Sequence, residues 1–472
     1  MGGGKIRDRV RGGVRVQSWA RDELRHAQLG DERLNKRLMQ MVEDFAAKPA
    51  LSVPEASGTM AATKAVYRFW DHEGVRPQDI RASHIRSTLE RLSGHEVVLA
   101  VQDTTDLDFA HHPATKGLGP LYNVHQYGMM VHSSLAVSAS GVPLGLLDQV
   151  AWVRDPDSVG KRDSRRQRQT KDKESQRWLS ALMASQALVP AEVAVVTVAD
   201  SEADIHDLFA LSRRPGSELL IRGTQDRRVN EVGCLWQTLQ ESPERGHYPL
   251  EVPRQAGHKA RLAHLSLRYQ SVLVQPPCHH SGRAQLSPVP LQVILVTEEQ
   301  PAAAEPAITW LLYTSLPIDC LQDALLYVRW YSYRWLIERY HYVLKSGCHV
   351  EDLQLETAER IERALATYCI VAWRLLWLTY EGRQTPDAPC DRVLEPDEWQ
   401  ALYCRHHKTS ELPRTPPSLH EAVRWIAQLG GFLGRKGDGE PGVKTIWRGL
   451  RHLDDMTAMW RLMHPQLSPA SS

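Results

Sequence analysis

The segment VAVVTVAD, residues 193–200, decides the fold class of this chain. It is a nearly continuous apolar run that ends in an aspartate, which is typical of a strand buried on both faces of a sheet. The segment EVVLAVQD, residues 96–103, has the same form. Because sites in α/β sheets form outside the carboxyl ends of strands, we expect Asp103 and Asp200 to lie side by side. One such aspartate alone is more often a turn residue, so the pair needs a third partner.

The segments around these strands alternate between helical and extended patterns. Their order is strand, hairpin, helix, buried strand, helix, strand, which predicts a mixed α/β sheet behind a helical N-terminal quarter. Helices are predicted at 18–48, 55–92, 173–189 and near 203–213, and further strands at 129–139, 144–153 and 218–223.

Residues 224–315 differ in character, because strand-like runs there are joined by proline-rich connectors, and they predict a β-rich insertion. Helical patterns resume at 321–346 and 357–381, with Gly382 as the expected stop. The last unit opens with the capping box Ser418-Leu419-His420-Glu421 and closes with an amphipathic helix.

The third partner comes from YSYRWLIERYHYVLK, residues 331–345. At about 100° per residue, Tyr331, Arg334, Glu338 and Lys345 fall within a roughly 60° arc of one helix face. The alternative is a solvated face with charge pairs, but the apolar residues around the helix indicate substantial burial. A buried charged stripe needs a charged partner, and phosphates or metal ions would supply it.

Composition limits the class of protein. The chain has 472 residues, enough for more than one core, and a net charge of +1, so bulk charge does not announce a nucleic-acid partner. Basic residues are nevertheless in excess over residues 1–38 and 161–171. No apolar run suits a membrane span or a secretory signal, and we expect a soluble protein in the cytoplasm with no membrane partner.

Cysteine and histidine usage argues against other kinds of site. The seven cysteines are scattered without a CxxC pair, so neither a disulfide framework nor a zinc ribbon is expected. The pairs His279-His280 and His406-His407 are interpreted as loop residues rather than zinc ligands. The acidic residues that neighbour the two aspartates are interpreted as capping or supporting groups, namely Asp106, Asp108, Glu202 and Asp204.

Three motifs together resemble the insertion-sequence-four family of bacterial DDE transposases, and within it the Tn-five type. Tyr331, Arg334, Glu338 and Lys345 match the family signature Tyr-x2-Arg-x3-Glu-x6-Lys. Asp103-Thr104-Thr105 matches its first acidic motif, and the segment DSEADIH, residues 200–206, matches its second. The similarity extends along nearly the whole chain.

The resemblance implies a ribonuclease-H-like α/β catalytic core interrupted by the β-rich insertion. It implies an N-terminal helical domain at 1–75 that binds transposon-end DNA, a core at 76–223 and 316–382, the insertion at 224–315, and a helical C-terminal dimerisation region at 383–472. The expected partners are transposon-end DNA, target DNA and a second copy of the chain in a synaptic complex. Association with the bacterial nucleoid is expected as well.

The implied activity is cut-and-paste transposition. Asp103, Asp200 and Glu338 would hold two Mg²⁺ ions, which Mn²⁺ could replace, and cleavage would pass through a DNA hairpin before the 3′-hydroxyl ends join target DNA. Two alternatives stay open: a ribonuclease-H-like nuclease that cuts without joining strands, and a DNA-binding protein derived from a transposase.

The resemblance also assigns DNA contacts. Arg334, Lys345 and Tyr331 are expected on backbone phosphates, which position DNA without reading its sequence. Trp310 is expected to hold a base flipped out of the DNA end, although an ordinary core tryptophan is about as plausible from the residues alone. The remaining expected contacts are Arg222, His341, Arg33 and Arg37. His341 precedes Tyr342, where close relatives have a lysine.

Overall fold

A computed structural model of the chain describes residues 18–122, 126–156, 173–230, 233–252, 261–278, 286–299, 301 and 307–465. The basic residues before Ser18, the basic run at 161–171 and the pair His279-His280 lie outside these ranges.

The N-terminal quarter is helical, but its helices are shorter than predicted. The helix predicted at 18–48 is broken around Gly30, whose φ of 81° is left-handed, and restarts after Asp31, whose carboxylate caps the amide of Arg33 at 2.7 Å. The helix predicted at 55–92 is also interrupted, and Pro77 begins its last piece at the first helical position. The helices are α1 (Trp19–Glu23), α2 (Glu32–Ala47), α3 (Val53–Ser57), α4 (Met60–Asp71) and α5 (Pro77–Leu92).

The strands of the described residues join into one twelve-stranded sheet. In chain order they are β1 (Val97–Asp108), β2 (Gly119–Pro120), β3 (Tyr127–Ser138), β4 (Pro143–Trp152), β5 (Ala194–Ala199), β6 (Ser217–Gly223), β7 (Arg228–Val229), β8 (Gly233–Cys234), β9 (Gly246–Val252), β10 (Arg261–Val274), β11 (Val289–Glu299) and β12 (Thr309–Thr314). The spatial order is β2-β3-β1-β5-β6-β12-β11-β10-β7-β8, with β4 beside β3 and β9 beside β10. The pairs β1–β5 and β5–β6 are parallel and the other pairs are antiparallel, so the sheet is mixed as predicted.

The strands of segment 224–315 extend the same sheet. Strand β12 pairs with β6 of the core, and β11 and β10 follow it outwards. The β-rich character of the segment is confirmed, and its last strand is the one that joins it to the core. The domain boundaries themselves stay a prediction.

Three helices lie between β4 and β9 in the described part of the chain. Helix α6 (Gln176–Leu188) precedes β5, and the predicted helix near 203–213 is only a 3₁₀ turn, Ser201–Ala203, and the short α7 (His206–Ala210). Helix α8 (Leu235–Glu241) lies in the insertion.

The helix predicted at 321–346 is not continuous. It consists of α9 (Leu321–Ser332), a bend at Tyr333 and Arg334, α10 (Trp335–Tyr342) and a π-helical turn, Val343–Gly347. Helix α11 (Ala358–Gln384) follows and is buried on most of its circumference, so it forms the centre of the fold. It runs past Gly382, where a stop was predicted. This glycine instead allows close packing, since a Cβ there would lie 2.9 Å from Cγ2 of Val423.

The C-terminal unit contains α12 (Pro396–His407), α13 (Leu419–Leu429) and α14 (Val443–Met463). The predicted capping box is confirmed. The Ser418 hydroxyl accepts a hydrogen bond from the amide of Glu421, and the Glu421 carboxylate accepts one from the amide of Ser418. In the described part of the chain, no helix is both long and apolar enough to span a membrane.

Candidate active site

Asp103 and Asp200 occupy equivalent positions on neighbouring strands. The parallel pairing of β1 with β5 ends at Val101 opposite Val198, and each aspartate lies two residues further along the chain. Strand β1 itself was predicted to end before Asp103, and this is wrong: it continues to Asp108 because it keeps β3 as an antiparallel partner, with Asp103 opposite Ser133. The register therefore brings both carboxylates to the same edge of the β1–β5 pair.

A backbone amide holds each aspartate. The amide of Thr104 donates to Oδ1 of Asp103 at 2.8 Å, and the amide of Glu202 donates to Oδ1 of Asp200 at 2.8 Å. The second contact caps the 3₁₀ turn after β5. Burial, and then the neighbouring charge of Asp200, raise the pKa of Asp103 to about 7 against the opposing charge of Arg334. The edge therefore carries more negative charge than its surroundings balance.

Glu338 reaches this edge from α10, and Arg334 lies between it and Asp103. The Arg334 guanidinium is 2.5 Å from Oε1 of Glu338 through Nη2 and 3.8 Å from Oδ2 of Asp103 through Nη1. Arg334 is only 10% exposed while Glu338 is 51% exposed. One buried cation thus serves two carboxylates, and one of these opens towards solvent.

The bend before α10 changes the predicted stripe. Tyr331 belongs to α9, Arg334 to the bend, Glu338 to the first turn of α10 and Lys345 to the π-helical turn. The four residues therefore do not share one straight helix face. They are still successive residues of one connected helical segment beside the sheet edge.

Tyr331 is buried behind Arg334. Among the described residues, its hydroxyl has no hydrogen-bond partner of good geometry. Burial raises the pKa of this phenol, and the nearby charges of Arg334 and Arg222 oppose that shift. Arg222 lies on β6 opposite Leu312, and it is close enough for its charge to act on the Tyr331 hydroxyl. The structure therefore brings Tyr331, Arg334 and Arg222 together.

Lys345 is held by groups on the far side of β1. Its Nζ donates to the carbonyl of Asp106 at 3.0 Å and lies 3.2 Å from Oε1 of Glu351. The side chain is about a quarter exposed. It borders the site, but it is tied to the outer end of β1 rather than to the triad.

Two of the expected DNA contacts lie in the interior. The Trp310 ring is 6% exposed and packs edge to face against Tyr331 and Trp335, with ring centroids 5.1 and 6.2 Å apart. A base could reach this ring only after those side chains move.

His341 is 5% exposed, and its Nε2 lies 3.3 Å from Oγ of Ser133. Burial, and then the charge of Lys345, lower its pKa to about 3, so the imidazole is neutral at neutral pH. The ring is therefore not presented to solvent, and a direct contact of His341 with DNA stays a prediction. Spacing along α10 could not reveal this.

Arg33 and Arg37 line a separate concavity. They lie on α2, and with Arg68 of α4 and His72, which follows that helix, they line a cavity of about 670 Å³. Asp31 is the acidic residue of this lining. Four groups that can carry positive charge thus face one groove of the N-terminal helices.

A second basic cleft was missed by sequence reasoning. It has a volume of about 670 Å³ and lies between the end of α2, the residues after α10 and helix α14. Lys444, Arg448 and Arg451 of α14 are exposed and, within the described residues, have no ion pair within 4 Å. Like charges at these helical spacings repel, and cations at a helix N-terminus oppose its dipole. Their spacing of four and three residues could have revealed this stripe.

The donor set of the triad fits a divalent metal ion. Carboxylate oxygens are the ligands that Mg²⁺ and Mn²⁺ prefer, and burial together with the charge of Asp200 raises the pKa of Asp103, which a bound cation would oppose. The ligand atoms of the triad do not all lie within 4.8 Å of one another. Among the described residues, the ligand atoms of Glu244, His247 and Glu299 do lie within 4.8 Å of one another, and these three residues are exposed on the insertion.

Family comparisons cover most of the chain. A model of the transposase DNA-binding domain matches residues 16–75, a model of the transposase DDE domain matches residues 160–374, and a model of the transposase Tn5 dimerisation domain matches residues 370–462. The first match contains Arg33 and Arg37, and the second contains Asp200 and Glu338 but begins after Asp103. Together they support DNA as a partner and dimer formation, and they agree with the mixed α/β core between two helical units.

Proposed function

The chain is a DDE transposase of the Tn5 type, and from this premise we propose that Asp103, Asp200 and Glu338 bind two Mg²⁺ ions, with Mn²⁺ as a substitute. The observation that carries the proposal is that Arg334 pairs with both Asp103 and Glu338, while Asp200 lies beside Asp103 at the equivalent position after the parallel neighbour β5. Ions held there would supply activation of a water or a 3′-hydroxyl and stabilisation of the leaving oxygen.

The residues around the site have separate roles in this proposal. Asp103, Asp200 and Glu338 would hold the ions through their carboxylate oxygens. Arg334, which is now the counter-charge of Asp103 and Glu338, would then be free to bind a backbone phosphate. Tyr331 supports that step, because its buried hydroxyl is available to a phosphate oxygen beside Arg334. Lys345 and Arg222 extend the positive border of the site.

The DNA reaction follows the type of enzyme. We infer that the protein nicks one strand at each transposon end, that the freed 3′-hydroxyl forms a hairpin, and that the reopened end joins target DNA within a synaptic dimer. Arg33 and Arg37 contact end DNA in the groove of α2 and α4. Trp310 holds a flipped base only if Tyr331 and Trp335 uncover its ring. Association with the nucleoid follows from DNA binding.

The test uses purified protein, Mg²⁺ and a DNA fragment that carries the terminal repeats flanking the gene. Hairpin ends and strand-transfer products are expected with the wild type and are lost in Asp103→Ala. Asp352→Asn changes an exposed carboxylate outside the triad and should cleave normally.

The outcomes separate the alternatives. Cleavage without strand-transfer products would favour a plain nuclease, and end binding without any cleavage would favour a DNA-binding protein derived from a transposase. Cleavage that persists in Asp103→Ala would refute the assignment of the triad.

A further inference from the structure

Arg177 connects the two residues that hold the metal-binding aspartates. It lies at the start of α6, outside the three motifs that contain Asp103, Asp200 and Glu338. Its Nε donates to Oγ1 of Thr104 at 2.8 Å, and its Nη2 donates to Oε2 of Glu202 at 2.5 Å. Thr104 and Glu202 are the residues whose amides bind Asp103 and Asp200 at 2.8 Å. The guanidinium therefore joins β1 to the turn after β5 through one contact on each side.

The contacts around Arg177 leave it little freedom. Its Nη1 donates to the carbonyl of Glu174 at 3.0 Å, so all three of its nitrogens have different partners. The guanidinium lies 5.5 Å from the ring centroid of Trp178 and 5.7 Å from that of Trp152, and the side chain is 16% exposed. A planar group with donors on every side suits this task, whereas the single ammonium of a lysine does not.

The far side of Thr104 is also held. Its Oγ1 lies 2.9 Å from Nδ1 of His132, a buried residue of β3. Burial lowers the pKa of His132 to about 3, so this ring stays neutral. Thr104 is thus fixed between Arg177 and β3, and the amide that binds Asp103 has a defined direction.

We propose that Arg177 is a positioning residue for the metal site, which sets the separation of Asp103 and Asp200 through Thr104 and Glu202. The inference rests on the proposed metal-binding role of those aspartates. Groups that orient metal ligands from outside the coordination sphere commonly change metal affinity by about 10–100-fold when they are lost. Arg177 itself touches neither DNA nor metal in this role.

The experiment measures metal binding without DNA. Thermal unfolding of the full chain is followed while Mn²⁺ is titrated, and the Mn²⁺ concentration equal to the apparent Kd, called the Mn²⁺ midpoint, is fitted from the rise of Tm with Mn²⁺ concentration. Arg177→Gln is expected to raise that concentration about 10-fold or more. Arg177→Lys is expected to restore it only in part, because a lysine cannot hold Thr104 and Glu202 at once.

Arg154→Gln is the matched control. Arg154 has the same 16% exposure and pairs with Glu174 at 2.5 Å, but it contacts neither Thr104 nor Glu202. It should lower Tm without moving the Mn²⁺ midpoint. Glu202→Gln and Thr104→Val keep the test valid if Arg177→Gln fails to fold, since each removes one arm and should shift the midpoint by a smaller factor.

Two results would overturn the proposal. One is a Mn²⁺ midpoint that equals the wild-type value in all four variants of Arg177, Glu202 and Thr104, while the wild type responds to Mn²⁺. The other is a loss of DNA affinity in Arg177→Gln with normal metal binding, which would make Arg177 a DNA contact. A wild type that neither responds to Mn²⁺ nor cleaves DNA would instead refute the proposed metal site, so the two failures can be told apart.

Discussion

Arg334 forms a 2.5 Å ion pair with Glu338 and at the same time lies 3.8 Å from Asp103. The cation that the family signature places among phosphate contacts is therefore also the counter-charge of the proposed metal ligands. Glu338 is the fourth residue after Arg334, so their ion pair is local, whereas the contact of Arg334 with Asp103 depends on the sheet. This dual position leads to the first prediction.

Replacing Arg334 should separate its two roles. Arg334→Gln keeps hydrogen-bonding capacity but removes the charge, and we expect cleavage to fall about 100-fold or more, as for the loss of one oriented donor at a reaction centre. Arg334→Lys should recover only part of this, because it lacks the fork that serves two oxygens. Single-turnover cleavage rates measure the effect. An Arg339→Gln control changes the neighbouring arginine of α10, and equal losses in both variants would contradict a specific role.

The protonation of Asp103 should make metal binding depend on pH. Its pKa is raised to about 7, so the ligand form is lost as pH falls below 7, and Mn²⁺ affinity should drop by up to about tenfold per pH unit there. Titrating Mn²⁺ at several pH values tests this. A midpoint that stays constant between pH 6 and 8 would be evidence against it.

The same shift has a consequence for stability in metal-free buffer. A raised acid pKa means that the folded state binds the proton more tightly, so stability falls as pH rises from the ordinary value near 3.8 towards 7. Asp103→Asn should therefore be more stable than wild type at pH 8, and this difference should shrink at pH 5. Chemical denaturation at both pH values, with chelator present, provides the measurement.

A buried network joins the N-terminal helices to the sheet. Glu23 of α1 accepts from Nη1 of Arg91 at 2.7 Å and from Nδ1 of His84 at 2.6 Å, while Nε2 of His84 accepts from the amide of Leu146 at 3.0 Å. Burial raises the pKa of Glu23, but the His84 hydrogen bond and the Arg91 charge outweigh burial and lower it to about 2. A depressed acid pKa stabilises the fold above about 4.5, and this contribution is lost as pH falls towards 2.

Glu23→Gln should accordingly lower the free energy of unfolding by about 3–5 kcal/mol, because it leaves a cation without its buried partner. Urea denaturation at pH 7 measures this loss. Glu90→Gln removes an exposed ion pair with Arg25 and should cost less than about 1 kcal/mol. Similar losses in the free energy of unfolding in both variants would show that the buried network stabilises the fold no more than an exposed ion pair does.

The basic stripe of α14 should bind DNA backbone. Replacing Lys444, Arg448 and Arg451 by alanine should weaken DNA binding for all sequences alike and lower the slope of log affinity against log salt by up to about three. The control is Arg435→Ala, since Arg435 is already paired with Asp438. Unchanged DNA affinity with an altered dimer mass would show that the cleft instead faces a second copy of the chain.

The local patterns of the chain determined a large part of this protein. The apolar runs before Asp103 and Asp200 predicted two buried strands, because burial on both faces requires apolar residues throughout, and the capping box at Ser418 predicted the start of α13. The spacing of Tyr331, Arg334 and Glu338 predicted that they act together, since neighbours on a helical segment remain neighbours after folding.

Only the tertiary structure decided the rest, because contacts between distant residues leave no periodicity. The bend at Arg334 turns a straight stripe into an arrangement around the sheet edge, and burial withdraws Trp310 and His341 from the surface. Arg177 reaches Thr104 across 73 residues and Glu202 across 25, so its role exists only once β1, α6 and β5 are packed together. The proposed metal ligands were thus predicted from local patterns, whereas the contacts that support them form only when the chain folds.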